Sequence, residues 1–385
     1  MPWQEVSALT QRREFVRLAS QEGANRRDLC RRFGISPAVG YKWLARSQAG
    51  DGELADRSRR PLETPARCPR DIEALVTQAR EAHPAWGARK IAACLKREGH
   101  APPAISTVHQ ILRRHGLVTP PAGKPGEPYK RFERDTPNQL WQMDFKGHKP
   151  LTRGASCHPL TVIDDHSRYA ICLAACANEQ GQTVKTHLET AFGLYGLPEA
   201  MYVDNGGPWG FTLADPWTKL GVWLLKLGVR LIHARPYHPQ SRGKNERFHR
   251  TLEAEIFAFQ SFPDLKAAQR AFDRWRTSYN LERPHEALGQ DVPASRYCVS
   301  PRPMPAFPPK VEYDEGETVR AVSTTKAYVS FRNQLWKVPQ AFCGERLAIR
   351  ALDVDGRFGV FFASHRVTDI DLTKPESVSH VSEQV

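Results

Sequence analysis

The chain has no stretch of about eighteen or more consecutive apolar residues, so none of its 385 residues reads as part of a membrane-spanning helix. Its first residues, Met1-Pro2-Trp3-Gln4-Glu5-Val6, lack the basic-then-apolar pattern of a secretory signal. Cysteine is sparse. The eight cysteines are scattered along a long chain, which excludes the dense disulfide framework of a small secreted domain and points to a reducing cytoplasm. Cys172 and Cys176 stand four apart without a second pair nearby, and structural zinc wants four ligands, so buried free thiols are expected there. Acidic residues are in the minority, with 42 Asp+Glu against 55 Lys+Arg and a net charge of +13, which implies a polyanionic partner. The surplus is uneven: residues 1–133 carry 24 Lys+Arg against 14 Asp+Glu.

A chain of this length divides into two or more domains, and composition marks where. Within 1–50, apolar residues recur at Phe15, Leu18 and Ala19, at Leu29, Cys30 and Phe33, and at Val39, Trp43 and Leu44, the pattern of three short helices. Gly34-Ile35-Ser36-Pro37 supplies a turn residue, a capping serine and a proline suited to a first helical position. The region resembles a helix-turn-helix whose second helix starts near Ser36, with Tyr41 and Lys42 on it, and its arginines favour DNA over a protein partner. Residues 51–70 are polar, basic and proline-broken, an expected extended linker whose Arg57, Arg59 and Arg60 could follow a phosphate backbone or enter a minor groove. Residues 71–128 repeat the helical theme as a second helix-turn-helix-like unit. Residues 129–300 change to an α/β pattern, with strands at 142–145, 159–164, 169–175, 201–203 and 229–233. Helices are expected at 182–194, from Gly243 to Phe259, and around Ala271–Trp275. Five prolines within 301–310 read as a stiff spacer, and 311–385 is β-rich, an expected small five-strand β-barrel.

Three acids in the central block fit a single chemistry. Asp144 lies in the apolar run Trp141-Gln142-Met143-Asp144-Phe145, where a charge is costly without a partner. Asp204 ends an apolar stretch, and Asn205-Gly206 behind it allows a sharp exposing turn. Glu246 opens a helix in Gly243-Lys244-Asn245-Glu246-Arg247-Phe248-His249-Arg250. At about 100° per residue, His249, Arg250 and Glu253 share its face while Phe248, Leu252 and Ile256 lie opposite. Carboxylates on rigid elements can hold hard divalent ions such as Mg2+ against a phosphodiester. Asp164 and Asp165 are an equally tempting acidic pair. His233 and Tyr237-His238-Pro239-Gln240-Ser241 could clamp DNA just before the helix, with Asn205, His238, Gln240, Lys244, Arg247, His249 and Arg250 the candidate contacts.

The set Trp-Gln-Met-Asp at 141–144, Val-Asp-Asn-Gly at 203–206, the run from Tyr237 to Leu252, then Tyr279-Asn280, Arg283-Pro284-His285 and Ala287-Leu288-Gly289 resembles bacterial insertion-sequence transposases of the retroviral-integrase superfamily. The resemblance extends to the N-terminal helix-turn-helix and the Asp56–Pro61 linker. It implies a multidomain protein: helical helix-turn-helix units, a central ribonuclease H-like α/β core with a mixed five-stranded sheet, and a C-terminal small β-barrel. It further implies that Asp144, Asp204 and Glu246 are a catalytic, metal-binding triad using two Mg2+ ions, with Mn2+ as a substitute. The implied activity is nicking at transposon ends to free a 3′-hydroxyl, which then attacks target DNA. The implied partners are double-stranded DNA and further copies of the chain, as a dimer or larger assembly in a bacterial cytoplasm at the nucleoid. A catalytically silent DNA-binding regulator and a ribonuclease H-like nuclease are the alternative readings. Two features depart from the family pattern. The 41 residues between Asp204 and Glu246 exceed the usual spacing, with the excess expected in 207–217, and Glu253 stands where many relatives carry a base that holds terminal DNA, so that either Lys244 or Arg250 takes over that role or end recognition differs.

Overall fold

The computed structural model describes residues 7–50, 54–56, 68–118, 133–210, 217–233 and 243–373. The chain divides into two compact units, Met1–Arg67 and Cys68–Val385. The first unit holds three helices, α1 (Ala8–Ala19), α2 (Arg26–Arg32) and α3 (Pro37–Gln48). Ser36 caps α3 as its sequence indicates: its side chain accepts from the Val39 N–H, and Pro37 takes the first turn. Phe15, Val16, Ala19, Leu29, Cys30, Trp43 and Leu44 close the core. Gly40 of α3 is buried against Cys30 and Phe15, so the helices cross without a side chain between them. Of the expected linker at 51–70, Leu54 folds back into this core and Arg12 holds both its carbonyl and the Asp56 carboxylate, while 57–67 lie outside the described residues.

The second unit begins with α4 (Arg70–Ala82), α5 (Ala88–Arg97) and α6 (Ile105–Arg114), packed around Val76, Trp86, Ile91, Leu95, Val108 and Ile111. The expected second helical module is there. The central sheet follows, with β1 (Trp141–Phe145), a two-residue β2 (Lys149–Pro150), β3 (Ser156–Asp164), β4 (Ala170–Cys176), β5 (Ala200–Val203) and β6 (Arg230–His233). β3 joins β4, β2 and β1 antiparallel, while β1, β5 and β6 run parallel. The sheet is therefore mixed, five principal strands and one short one. Alternation sends Trp141, Met143, Leu160, Val162, Met201 and Val203 to one face, under α7 (Gly181–Tyr195) and α8 (Lys219–Lys226). Ile163 and Leu173 face the other way, under α9 (Gly243–Leu252) and α10 (Leu265–Leu281). Cys157, Cys172 and Cys176 are buried free thiols, as the missing second pair implies.

Two expectations are corrected. The helix expected to run to Phe259 stays α-helical only to Leu252 and widens into a π-turn at Glu253–Phe257. The wide turn accommodates two engaged acids: Glu253 meets Lys146 and Lys149, and Glu255 accepts from Arg283 and from the Trp275 indole. The C-terminal domain is not a closed barrel. It has a four-stranded sheet, β12 (His365–Asp371), β11 (Arg357–Phe362), β10 (Arg346–Ala351) and β7 (Thr318–Ala321), and a separate hairpin, β8 (Tyr328–Phe331) and β9 (Gln334–Lys337). Closure needs edge strands that meet in a staggered register. Here Phe342 and the α8 residue Val222 fill the core shared by the two sheets, and the Trp217 ring packs on Phe342. The spacer beyond Pro301 is also tied down at its start, because Arg302 donates to the carbonyls of Pro198, Leu227 and Gly228.

A Cβ on Gly40 would lie 2.5 Å from the Cys30 sulfur and 2.9 Å from the Phe15 ring edge. Gly40→Ala is expected to destabilise the first unit by about 1–3 kcal/mol. Amide exchange should accelerate across α1–α3 and stay unchanged in α4–α6; unchanged exchange in α1–α3 would refute the packing argument.

Candidate active site

The site is built on β1. Its odd residues Trp141 and Met143 are consumed by the α7/α8 core, so Gln142 and Asp144 face α9. Asp144 stands opposite Thr161 on β3, and the Thr161 hydroxyl donates to the Asp144 carbonyl at 2.9 Å. That hydroxyl has only one proton. Its 2.8 Å contact with His249 Nε2 is therefore accepted, and the imidazole carries its proton on Nε2. Burial, with Lys146 nearby, lowers the His249 pKa to about 4, so the ring is neutral at pH 7.

Asp204 sits one residue past the end of β5. The parallel register pairs Trp141 with Met201 and Gln142 with Tyr202, and Met201 and Val203 share the core face with Trp141 and Met143, so strand alternation directs Asp144, and by continuation Asp204 just past β5, towards the opposite face. The Gly206 N–H donates to the Asp204 carboxylate at 3.0 Å, closing a side-chain turn over Asn205. His233 Nδ1 donates to the Asp204 carbonyl at 3.0 Å, and buried Trp209 stacks on Phe145 of β1, holding the loop that follows. The excess spacer between the second and third acids is thus anchored at both described ends, by Trp209 in the central core and by Trp217 at the C-terminal domain.

Glu246 is exposed in the first turn of α9. The helix is pinned on either side of it. Lys244 pairs with Asp165 at the end where β1 meets Asp164, and His249 reaches Thr161 at the level of Asp144. Beyond the π-turn boundary, Glu253 grips Lys146 at 2.5 Å and Lys149 at 2.8 Å. At 1.5 Å rise per residue, Glu246 lies within a turn of both flanking anchors.

Several expected DNA contacts are turned inward. Lys244 is engaged by the fully buried Asp165, and burial first, then Arg168, lowers its pKa. His249 is a neutral, half-buried hydrogen-bond donor. His233 braces Asp204. Arg247 and Arg250 are exposed on α9, with Arg247 3.7 Å from Glu286. Ser36, Tyr41 and Lys42 are exposed on the first unit, Ser36 as a cap. Arg57, Arg59, Arg60, His238 and Gln240 lie outside the described residues. Asp164 and Asp165 are not a second acidic site. Asp164 is buried and accepts from Asn138 and Ser167, and its pKa is raised by burial against those bonds. Sequence reasoning missed Thr161, Lys146 and Lys149. Their roles arise from cross-strand and helix-to-strand contacts, for which sequence spacing carries no signal.

The donor set is all carboxylate oxygen, which suits a hard ion such as Mg2+. Among the described residues no three His, Cys, Asp or Glu side chains stand close enough to form a ready-made metal cluster.

Family models agree with this architecture. Residues 134–239 and 227–293 match two models of an integrase core domain, and residues 317–377 match the C-terminal domain of an IS481 family transposase. Residues 11–61 match a helix-turn-helix domain and 39–112 a homeodomain-like domain. The insertion element IS476 uncharacterized 39.2 kDa protein of Xanthomonas euvesicatoria is 29% identical over 169 residues, 44% of this chain and 47% of that one. The insertion element IS407 uncharacterized 31.7 kDa protein of Burkholderia multivorans is 27% identical over 216 residues, 54% of this chain and 74% of that one. The chain thus spans about half the length of the first relative and three quarters of the second. The solved simian T-cell lymphotropic virus intasome, in complex with PP2A regulatory subunit B56 gamma, is 14% identical with a TM-score of 0.40, over 77% of this chain and 96% of that one.

The neutral His249 has a consequence for pH. Its folded pKa of about 4 lies below the ordinary 6.5, so between those values the unfolded chain binds the extra proton and stability falls as pH drops. His285, held near 2 mainly by burial, adds to the same slope. Urea unfolding should show a loss of a few kcal/mol between pH 7 and pH 4. His249→Gln, which can still donate to Thr161, should flatten part of that slope; an unchanged slope would contradict the buried neutral imidazole.

Proposed function

We propose that this chain, similar in its integrase core, its C-terminal domain and its helix-turn-helix domains to bacterial insertion-sequence transposases of the integrase superfamily, binds the inverted repeats at transposon ends, nicks there to free a 3′-hydroxyl, and joins that hydroxyl to target DNA. The observation that supports the proposal is the parallel register of β1 and β5, Gln142 paired with Tyr202, which by alternation directs Asp144 and Asp204 to one side of the sheet, while Lys244 and His249, on either side of Glu246 in α9, bond to Asp165 and Thr161. Three carboxylates alone would repel a phosphodiester, so they serve it only through cations. Asp144, Asp204 and Glu246 would hold two Mg2+ ions, with Mn2+ as a substitute, which would supply charge neutralisation and activation of the attacking oxygen.

The protein's own contribution is placement. Thr161 and His249 hold the Asp144 backbone, while His233 and the Gly206 turn hold Asp204, so neither acid is free to follow its mutual repulsion. Arg247 and Arg250, exposed on α9, offer charge to the phosphates flanking the scissile bond. End recognition falls to the helical modules. α3 exposes Val39, Tyr41 and Lys42, and α6 exposes His109, Gln110 and Arg113, the profile of helices that enter a major groove. Two ends must be held at once, so the working form is a dimer or larger assembly on duplex DNA, in the cytoplasm at the nucleoid.

Asp204→Asn and Glu246→Gln should each lower strand cleavage on inverted-repeat DNA by about 10³-fold, since a Lewis acid contributes several kcal/mol to such a transition state. DNA affinity should remain within a few-fold. Retained magnesium-dependent nicking in either variant would sink the assignment. Preferential cleavage of RNA–DNA hybrid over duplex DNA would replace it with a nuclease.

A further inference from the structure

Asp165 is fully buried, and five bonds converge on it, one of them from the Arg168 guanidinium to its carbonyl. Lys244 Nζ reaches one carboxylate oxygen at 2.5 Å and the Asp165 carbonyl at 3.1 Å. Gln142 Nε2 donates to the same carboxylate oxygen at 2.7 Å, and the Arg134 N–H donates to the other at 2.9 Å. The Asp165 N–H in turn donates to the Leu140 carbonyl at 2.9 Å, tying its backbone to the residue before β1. The two side chains that share the carboxylate have matching places in the chain. Gln142 lies two residues before Asp144 on β1, and Lys244 lies two residues before Glu246 on α9.

We propose that Asp165 is a positioning residue. Through Gln142 and Lys244 it sets the first turn of α9 against β1, and so fixes where the Glu246 carboxylate stands relative to Asp144. This rests on the reading of Asp144 and Glu246 as partners in one site. A buried ion pair is weak as a source of stability, because desolvation of both charges offsets their attraction, but it can specify one arrangement among several of similar energy. Arrangement is what α9 needs here. Its apolar face, Phe248, Leu252 and Ile256, would pack on the sheet nearly as well after a small slide or roll, whereas Lys244 can meet Asp165 in only one register. Outer bonds of this kind orient ligands, and their loss costs about 10- to 100-fold in metal affinity or activity. A 1 Å displacement of a reacting group is worth about 10²-fold in rate.

The test removes both charges together in the full-length chain, because Lys244→Met alone would leave a buried carboxylate without its cation and could unfold the site. Asp165→Asn/Lys244→Met is compared with wild type and Glu246→Gln at a temperature well below every melting transition. Direct Mn2+ binding is followed by electron paramagnetic resonance, and cleavage of inverted-repeat DNA is followed in parallel. The expected result is a folded double variant that binds DNA as wild type does, binds Mn2+ about tenfold or more weakly, and cleaves about 10²-fold more slowly with KM for DNA unchanged. Wild-type Mn2+ affinity and cleavage in the double variant, alongside weakened binding in Glu246→Gln, would overturn the positioning role alone. If Glu246→Gln itself left Mn2+ binding and cleavage unchanged, the reading of the acids as one site would fall first. A double variant that only melts lower, with Mn2+ affinity and cleavage preserved, would reduce the pair to a structural one and also overturn the proposal.

Discussion

Three carboxylates that act together, as proposed for Asp144, Asp204 and Glu246, must be held against their mutual repulsion, and much of the central domain bears on that constraint. Nothing in the acids' own chemistry brings them to one place, so the scaffold has to hold each from behind. β1 provides the reference. Its alternation buries Trp141 and Met143 on one face and leaves Gln142 and Asp144 on the other. Its antiparallel neighbour brings Thr161 to Asp144, and its parallel neighbour β5 leads to Asp204, one residue past its end. Each proposed ligand is then restrained by its neighbours: Asp144 through its carbonyl, Asp204 through its carbonyl and through the Gly206 N–H on its carboxylate, and Glu246 through the helix that carries it. Rigid support of this kind offsets the repulsion before any cation arrives.

The same constraint accounts for the fate of the basic residues. A net charge of +13 suggests cations free to meet DNA, and on the helical modules the exposed Lys42 and Arg113 fit that picture. Around the site much of the positive charge is already engaged. Lys244 neutralises Asp165, Lys146 and Lys149 neutralise Glu253, and Arg283 neutralises Glu255. These pairs are more buried than ordinary surface ion pairs, so they specify geometry more than they add net stability. Glu253 is the clearest case. An acid in a position where a base would serve DNA instead collects two lysines from the segment after Asp144, so the local charge remains +1 and is displaced by a few residues along the fold.

How much of this was legible in the sequence follows from the range of the interaction involved. Local rules were readable. Ser36-Pro37 marked a helix start, Asp204-Asn205-Gly206 marked a turn, and the spacing of Phe248, Leu252 and Ile256 marked the buried side of α9, because each signal lies within one turn of chain. Register was not readable, and register decides which polar residues meet. Asp164 and Asp165 looked like a second acidic pair until Asn138, Ser167, Gln142 and Lys244, from four other places in the chain, were found bonded to them. The β-barrel expectation failed for a related reason. Strand propensity counts strands but not their edges, and Val222 of α8 occupies a core that closure would have sealed.

The arrangement of α9 shows why a helix, rather than a further strand, is suited to carry the third acid. A strand is committed on both edges by its ladder, so its side chains move only with the sheet. α9 lies across the sheet on an apolar stripe, which is non-directional and permits small slides. Its directional restraints are few: Lys244 to Asp165, His249 to Thr161, and Glu253 to Lys146 and Lys149. The first two flank Glu246, and they differ in kind. The His249–Thr161 bond is neutral and couples α9 to the level of Asp144, whereas the Lys244–Asp165 pair is ionic, buried and coupled to Gln142. Glu246 itself remains exposed between them. A carboxylate held at its backbone and free at its tip can approach a cation through side-chain rotation alone, without reorganising the sheet that holds the other two.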